Sequence, residues 1–360
     1  MRILWFNHRD ILHPSAGGAE RTIMEISSRL VKRGHEVNWH ASGWAGAPSV
    51  TTLDGVRIKR YPGYVGPHLA HPLVLRSVVK PDVIVDDLAH VFPWGTPLFG
   101  NYRGTAFFRH LHARTLDGQV SSAAGSILKL MERNYSKVYR QWPFVTETAG
   151  SIQDLSTLQI DKNRCKAIPP GVNTALFKLG TLNATPRLVY FGGMRKYKRP
   201  SHAVLAINNL LKLGVNAELV MVGNGPEHNS LIQLSKTLHL SEKVTFVGRI
   251  STSELASLLP TCWANLHCST AEGWGYSALE AAACGVPTVG YRVPGLRESV
   301  KEGRSGLLVP DGNPMDLAYA AREVLGNPSR WRPMCRAYAE SFSWDQCSRN
   351  WESYLQSLCT

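Results

Sequence analysis

One pattern dominates this chain: a short apolar run, a turn, then a segment with apolar residues at helical spacing. "RILWF" (2–6) is followed by a glycine-bearing turn and by "ERTIMEISSRLVKRG" (20–34), where Gly34 marks a helix stop. "EVNWHAS", "VRIKRY" and "PDVIVDD" read as further strands. "TAFFRHLH" and "PFVTE" come next, with a helical segment around 124–141 between them. The pattern restarts at "RLVYFGG" (187–193), then "PSHAVLAINNLLKLG", "AELVMVGNG", "LIQLSKTLHL", "KVTFVGR", "SELASLLP" and "ANLHC". Such alternation predicts an α/β protein of parallel sheets with helices on both faces. The polar, small-residue stretch 173–186 reads as a linker, so two doubly wound, Rossmann-like domains facing a central cleft are expected. Their expected bounds are 1–178 and 186–342, with a closing amphipathic helix over 343–360 able to pack back on the first.

Composition narrows the class. A chain of 360 residues is long enough for about two domains. Its 44% hydrophobic and 19% charged residues suit a globular protein. The seven cysteines are scattered and none forms a C-x-x-C pair, which suggests reduced thiols in a cytoplasmic protein. The apolar run at the N-terminus is too short for a signal peptide, and no window approaches a membrane span. The formal net charge of +13 calls for an anionic partner: nucleic acid, a membrane surface or a phosphate-bearing substrate. Aromatic-rich basic motifs of the RNA-binding type are missing, which makes nucleic acid the weakest of these. "GSILKLMERNYSKVYRQW" (125–142) is a basic amphipathic pattern, read first as a surface helix over the sheet and second as a contact with anionic membrane.

The densest chemistry lies in "STAEGWGYSALEAAACGVPTVGYRVPG" (269–295). "ANLHC" ends a strand, "EGWG" turns, and "YSALEAAACG" is a helix closed by Gly285 and Pro287. Glu272 therefore sits on the loop at a strand's carboxyl end, and Glu280 about one turn into the helix. Open parallel sheets bind ligands at that end. Amides at a helix start suit a phosphate, and Gly273 and Gly275 beside Trp274 and Tyr276 allow close approach of a ligand to the backbone. Two carboxylates beside such a site are suited to accept from sugar hydroxyls, Glu280 from a ribose and Glu272 from a hexose.

This stretch resembles the E-x7-E signature of the family-4 retaining glycosyltransferases of GT-B type. "VPGLRESVKEGRSGLLVPDGNPMDLA" resembles the family's next segment, including an acid at Glu298, and "SAGGAERTIMEISSRLVKRGHEV" is similar to its N-terminal loop and helix. "AIPPGVNTALF" resembles its interdomain entry and "LVYFGG…KYKRP" its lysine motif, so the likeness spans about the whole chain. The resemblance implies donor phosphates or acceptor near Gly17 and Gly18, and a diphosphate-neutralising role for Lys198. It implies a donor-sugar contact for His110, with His112 as the alternative. The family's arginine after the strand glycine is replaced here by Gly193; Arg195 is a candidate substitute for it.

The function implied is transfer of a sugar from a nucleotide-diphosphate donor, UDP- or GDP-linked, to a glycan, lipid-linked or small-molecule acceptor with retention. No D-x-D occurs, which fits a leaving group stabilised without a metal, and no cofactor is expected. The expected location is cytoplasmic, or peripheral on the inner face of the membrane. A nicotinamide or flavin oxidoreductase is disfavoured because no G-x-G-x-x-G comes after the first strand. A non-catalytic sugar-nucleotide-binding subunit and a sugar-nucleotide epimerase of the same fold are the remaining alternatives.

Overall fold

A computed structural model describes residues 1–77, 80–90, 92–114 and 122–360. The chain divides into two compact units. One comprises Met1–Leu116, Val120–Gly171 and Trp344–Thr360, and the other is made mainly of Val172–Ser343.

The first unit is built on an eight-stranded sheet. Its strands are β1 (Arg2–Phe6), β2 (Glu36–Ser42), β3 (Val50–Leu53), β4 (Val56–Tyr61), β5 (Val83–Leu88), β6 (Gly104–Phe108), β7 (Phe144–Thr146) and β8 (Cys165–Ala167). They lie in the order β3-β4-β2-β1-β5-β6-β7-β8. All pairings are parallel except β3 with β4, an antiparallel edge hairpin that the alternating pattern did not announce. The unit's helices are α1 (Gly18–Lys32), α2 (Gly66–Ser77), α3 (Ser122–Arg133), α4 (Tyr135–Val138) and α5 (Ala149–Thr157). Ile23, Ile26 and Leu30 recur along α1 and are fully buried, so its apolar stripe is what binds it to the sheet.

The helix expected over 124–141 breaks at Asn134, whose amide side chain donates to Leu130 O (2.8 Å). Its apolar side divides accordingly. Tyr135, Tyr139 and Trp142 enter the core, whereas Ile127 and Leu130 point outward at 60% exposure each.

A polar chain runs through this core. His71 Nε2 lies 2.9 Å from Thr96 Oγ1, which donates to Asp86 Oδ1 (2.6 Å), and Tyr139 Oη donates to Asp86 Oδ2 (3.0 Å). Burial pushes the Asp86 carboxyl up to about 7, although the bonds from Thr96 and Tyr139 pull the other way.

The second unit carries β9 (Arg187–Phe191), β10 (Glu218–Val222), β11 (Val244–Gly248), β12 (Ala264–His267), β13 (Thr288–Tyr291) and β14 (Gly306–Val309). This sheet is wholly parallel, in the order β11-β10-β9-β12-β13-β14. Its helices are α6 (Pro200–Lys212), α7 (His228–Thr237), α8 (Thr252–Leu258), α9 (Tyr276–Ala283), α10 (Leu296–Ser299), α11 (Pro314–Leu325) and α12 (Pro328–Glu340). The alanine run of α9 is buried on every side, which requires small residues. The stretch 173–186 holds no helix or strand, and it is packed on this unit: Phe177 is buried, and Arg336 Nη1 donates to Phe177 O (2.8 Å) and Ala283 O (3.0 Å).

The last helix, α13 (Trp344–Cys359), belongs to the first unit. Trp351 is fully buried against Trp5 (ring centroids 5.2 Å apart) and Phe107 (4.8 Å). Arg29 pairs with Asp345 (2.7 Å) and Arg33 with Glu352 (2.7 Å) along the α1 contact. All seven cysteines are free thiols.

Candidate active site

In the second unit β9 lies between β10 and β12, so the connections leaving β9 and β12 diverge to opposite sides. Such a switch point, at the carboxyl ends of the strands, is where open α/β sheets take ligands. The loop after β9 carries Gly193, Arg195 and Lys198; the loop after β12 carries Ser269, Glu272, Gly273 and Gly275. Thr270 N donates to Tyr197 O (2.9 Å) and stitches the two loops together.

Three side chains converge on one oxygen there. Lys198 Nζ donates to Glu272 Oε1 (2.5 Å), as does Ser269 Oγ (2.5 Å), and His267 Nε2 lies 3.5 Å from the same atom. Burial raises the Glu272 carboxyl, but the Lys198 charge, His267 and the bonds from Lys198 and Ser269 outweigh it and hold the group down to about 2. For Lys198, burial disfavours the charge and Glu272 overcomes that, so its pKa is raised. His267 is pushed down to about 4 by burial, against the pull of Glu272. The site thus presents an ionised carboxylate, an ammonium and a neutral imidazole near pH 7. An ammonium has three donors, so Lys198 keeps two after binding Glu272. Among the described residues, Glu272 Oε2 makes no hydrogen bond, and buried His267 Nδ1 and Thr270 Oγ1 have no partner. Native interiors rarely leave buried atoms such as His267 Nδ1 and Thr270 Oγ1 unanswered.

Glycines around the site fall into two kinds. A Cβ on Gly295 would stand 2.2 Å from Glu272 O, and Glu272 N donates to Pro294 O (3.1 Å), so Gly295 is required by the loop it supports. Gly275 has φ +94, and a Cβ there would meet Ser299 Oγ at 2.8 Å. At Gly193 a Cβ would meet only the Arg195 side chain at 3.9 Å, so the protein's own packing leaves the space open. Arg195 is exposed and folds alongside that space.

Arg199 is a residue the sequence did not single out. It holds a left-handed backbone (φ 44, ψ 50), uncommon outside glycine and asparagine. Its Nε donates to Cys268 O (2.9 Å), its Nη2 donates to Ser269 O (3.2 Å), and it pairs with Asp311. It clamps the β9 loop to the β12 loop. Ser269 and His267 were likewise missed: a serine three places before Glu272 and a histidine closing a strand carry no signal until the loops meet.

Trp274 turns its ring inward, 3% exposed and edge-on to Phe342 (5.5 Å), so only its backbone borders the EGWG loop. Gly275 caps α9, which opens at Tyr276. Glu280 is buried at 7% exposure and is not a solvated helix-face residue. Glu298 caps α10 by accepting from Gly295 N (3.1 Å).

Gly17, Gly18 and His110 belong to the first unit. The Gly17 amide already donates to Glu20 Oε2 (2.7 Å) in a reciprocal cap at the head of α1. His110 and His112 lie beyond β6, which ends at Phe108, and not on the strand itself, with rings 4.6 Å apart. His112 is buried against Glu132, which accepts from its backbone N–H (2.7 Å), while His110 is partly exposed.

Residues 16–176 match the family described as Glycosyltransferase Family 4, and residues 173–342 that described as Glycosyl transferases group 1. The chain is 35% identical to N-acetyl-alpha-D-glucosaminyl L-malate synthase of Bacillus anthracis, across 91% of this chain and 90% of that protein. This chain is a family-4 glycosyltransferase. The glycosyltransferase is also 27% identical to a D-inositol 3-phosphate glycosyltransferase of Nocardioides sp., across 93% of this chain and 84% of that one. It shares the GT-B fold with sucrose-phosphate synthase from Thermosynechococcus elongatus (TM-score 0.85, 20% identity, 99% of this chain and 98% of that one). Anabaena HepE in complex with UDP and glucose has the same fold (TM-score 0.76, 16% identity, 99% of each chain). Among the described residues, no helix of the glycosyltransferase is long and apolar enough to cross a membrane.

Proposed function

We propose that this glycosyltransferase moves a glycosyl group from a nucleotide-diphosphate sugar to an acceptor hydroxyl with retention of configuration. The observation that carries the reading is the convergence of Lys198, Ser269 and His267 on Glu272 Oε1, at the ligand end of a parallel sheet. In this reading the second unit holds the donor and the first receives the acceptor. Glu272 Oε2 accepts from hydroxyls of the transferred sugar, and Glu280 from the ribose. HepE, solved with UDP and glucose, is a precedent for such a donor on this fold.

The bond from the sugar's anomeric carbon to the diphosphate oxygen breaks, and the acceptor oxygen bonds to that carbon on the same face. The acceptor's proton passes to the departing phosphate oxygen. Negative charge grows on the diphosphate as the bond breaks, so donors fixed in place beforehand stabilise the transition state more than the ground state. Lys198, Arg195 and the amides at the head of α9 are those donors, and the reading needs no metal. Among the described residues, no group of three or more His, Cys, Asp and Glu side chains is arranged to hold one. The enzyme works in the cytoplasm in this reading, and outward-facing Ile127 and Leu130 beside Lys129 and Arg133 of α3 support peripheral contact with an anionic membrane.

The test is a transfer assay over a panel of UDP- and GDP-sugars, with the product's anomeric configuration read by NMR. Retention, undiminished by exhaustive chelation, is expected. An inverted product would overturn the stereochemistry, and chelator-abolished activity restored by magnesium or manganese would overturn the metal-free leaving group.

A further inference from the structure

The segment that leaves β6 is pinned on both sides of His110, and one of the pins comes from α3. Arg109 is buried, and its guanidinium is committed within the first unit. Nε and Nη2 donate to the Asp87 carboxylate of β5 (3.1 and 2.6 Å), and Nη1 donates to Glu147 just beyond β7 (2.7 Å). The Arg109 carbonyl accepts from Ser151 Oγ of α5 (3.3 Å). On the far side Leu111 packs against the core, His112–Arg114 form one 3-10 turn, and Arg114 Nη1 donates to Asp154 (2.8 Å).

Glu132, in the last turn of α3, is 1% exposed. Its Oε1 accepts from the backbone N–H of His112 (2.7 Å) and lies 3.3 Å from His112 Nδ1. Its Oε2 accepts from the backbone N–H of Ala113 (3.0 Å). The first amides of a helical turn have no acceptor inside it, and this carboxylate answers two of them at once. Burying a carboxylate is unfavourable unless hydrogen bonds answer it, so the glutamate and the turn need each other. From Glu132 two routes lead to His110. One runs along the backbone, two residues back from His112. The other is the buried His112 ring, whose centroid lies 4.6 Å from that of the His110 ring. Of the two histidines, His112 faces α3, and His110 is the one left partly exposed.

We propose that Glu132 is a positioning residue for the transfer reaction: by fixing His112 and Ala113 it holds the His110 ring in the orientation that meets the transferred sugar. This rests on reading the chain as a nucleotide-sugar transferase in which His110 contacts that sugar. A displacement of about 1 Å at such a group is enough to lower a rate by up to about a hundredfold. Glutamine keeps the shape of Glu132 but turns one acceptor oxygen into a donor. Whichever way the new amide is turned, one of the two backbone N–H groups then faces a donor and loses its bond.

Two measurements on the full chain test it. Amide hydrogen exchange over 110–114, read by mass spectrometry, should quicken about tenfold in Glu132→Gln. Exchange equal to the wild type would overturn the proposal. Nucleoside diphosphate release over the panel of UDP- and GDP-sugars is then compared for wild type, His110→Ala, Glu132→Gln and the double variant. Glu132→Gln should lower kcat about tenfold or more, with affinity for the free diphosphate within about twofold of wild type. In the His110→Ala background the same replacement should change kcat by no more than about twofold, because Glu132 acts through His110. Losses that multiply in full would overturn the proposal, since a merely loosened fold acts on both backgrounds alike. Wild-type kcat in Glu132→Gln would overturn it too. Glu132→Asp, which keeps the carboxylate but withdraws it by one methylene, carries the same expectations should Glu132→Gln fail to fold. Wild-type kcat in His110→Ala would sink the His110 assignment and the proposal together, whereas no release from any sugar by the wild type would sink the transferase reading itself.

Discussion

Lys198 and Glu272, 74 residues apart, meet at 2.5 Å across the two loops that flank the second unit's switch point. Each sets the other's charge state, and each is held in place by what the other supplies. That reciprocity shapes what removal of either should do.

Lys198→Ala should lower kcat by about two to three orders of magnitude, the usual effect of losing one donor to transition-state charge. Donor affinity should change less, because the added charge develops only as the bond breaks. Arg195→Ala should act in the same direction, and the double variant should fall short of the product of the two, since both face one diphosphate. Steady-state kinetics over the four proteins is the check; full multiplicativity would show that the two cations serve separate groups.

Glu272→Ala should reduce turnover more than it reduces affinity for the nucleoside diphosphate, because Glu272 Oε2 is assigned to the sugar. Glu280→Ala should instead weaken binding of donor and free diphosphate alike, by roughly 1.5–3 kcal/mol for a lost charged acceptor. Calorimetric titration separates them. Equal loss of diphosphate affinity in both variants would reverse the assignment.

Arg199 combines a left-handed backbone with two carbonyl acceptors on the opposite loop and an ion pair to Asp311 beyond β14. Both Arg199→Ala and Arg199→Gly remove the clamp, but only alanine keeps a Cβ in that conformation, at a cost of about 1 kcal/mol. Urea unfolding should rank wild type above Arg199→Gly above Arg199→Ala, with kcat reduced in both variants as the Lys198–Glu272 geometry loosens. Alanine as stable as glycine would mean the backbone relaxes once the guanidinium is gone.

Asp86 gives the fold a dependence on pH. Its folded pKa of about 7 stands above an ordinary value near 4, so the folded chain binds the extra proton. The stabilisation is fully present below about pH 4 and is lost as pH rises through about 7. Between pH 5.5 and 8 the stability of Asp86→Asn relative to wild type should therefore rise, by on the order of 1–2 kcal/mol. Titrating histidines are common to both proteins and cancel in the difference. A relative stability constant across that range would show that Asp86 stays ionised in its bonds from Thr96 and Tyr139.

How much the sequence disclosed depends on the range of each signal. β1, β2, β4, β9, β10 and β12 are short apolar runs bounded by turns, and local patterning marks them. Glu272 and Glu280 are joined by one turn and one helix, so their relation is also local. His267 acquires meaning only when strand order brings Lys198 beside it. Arg199 needs the β12 loop to explain its backbone. His8 and His90 follow β1 and β5 and His68 lies in the first turn of α2, and no spacing in the chain announces that they meet. The division of α3 from α4 was hidden because Ile127 and Tyr135 share helical spacing while only Tyr135 finds the core.

The return of α13 to the first unit has a consequence during biosynthesis. Trp351 closes the face formed by Trp5 and Phe107, yet it is translated after the whole of the second unit. That aromatic face is therefore left uncovered until α13 has been made, so completion of the first unit is expected to follow synthesis of the second, and a product truncated before α13 is expected to expose an apolar patch.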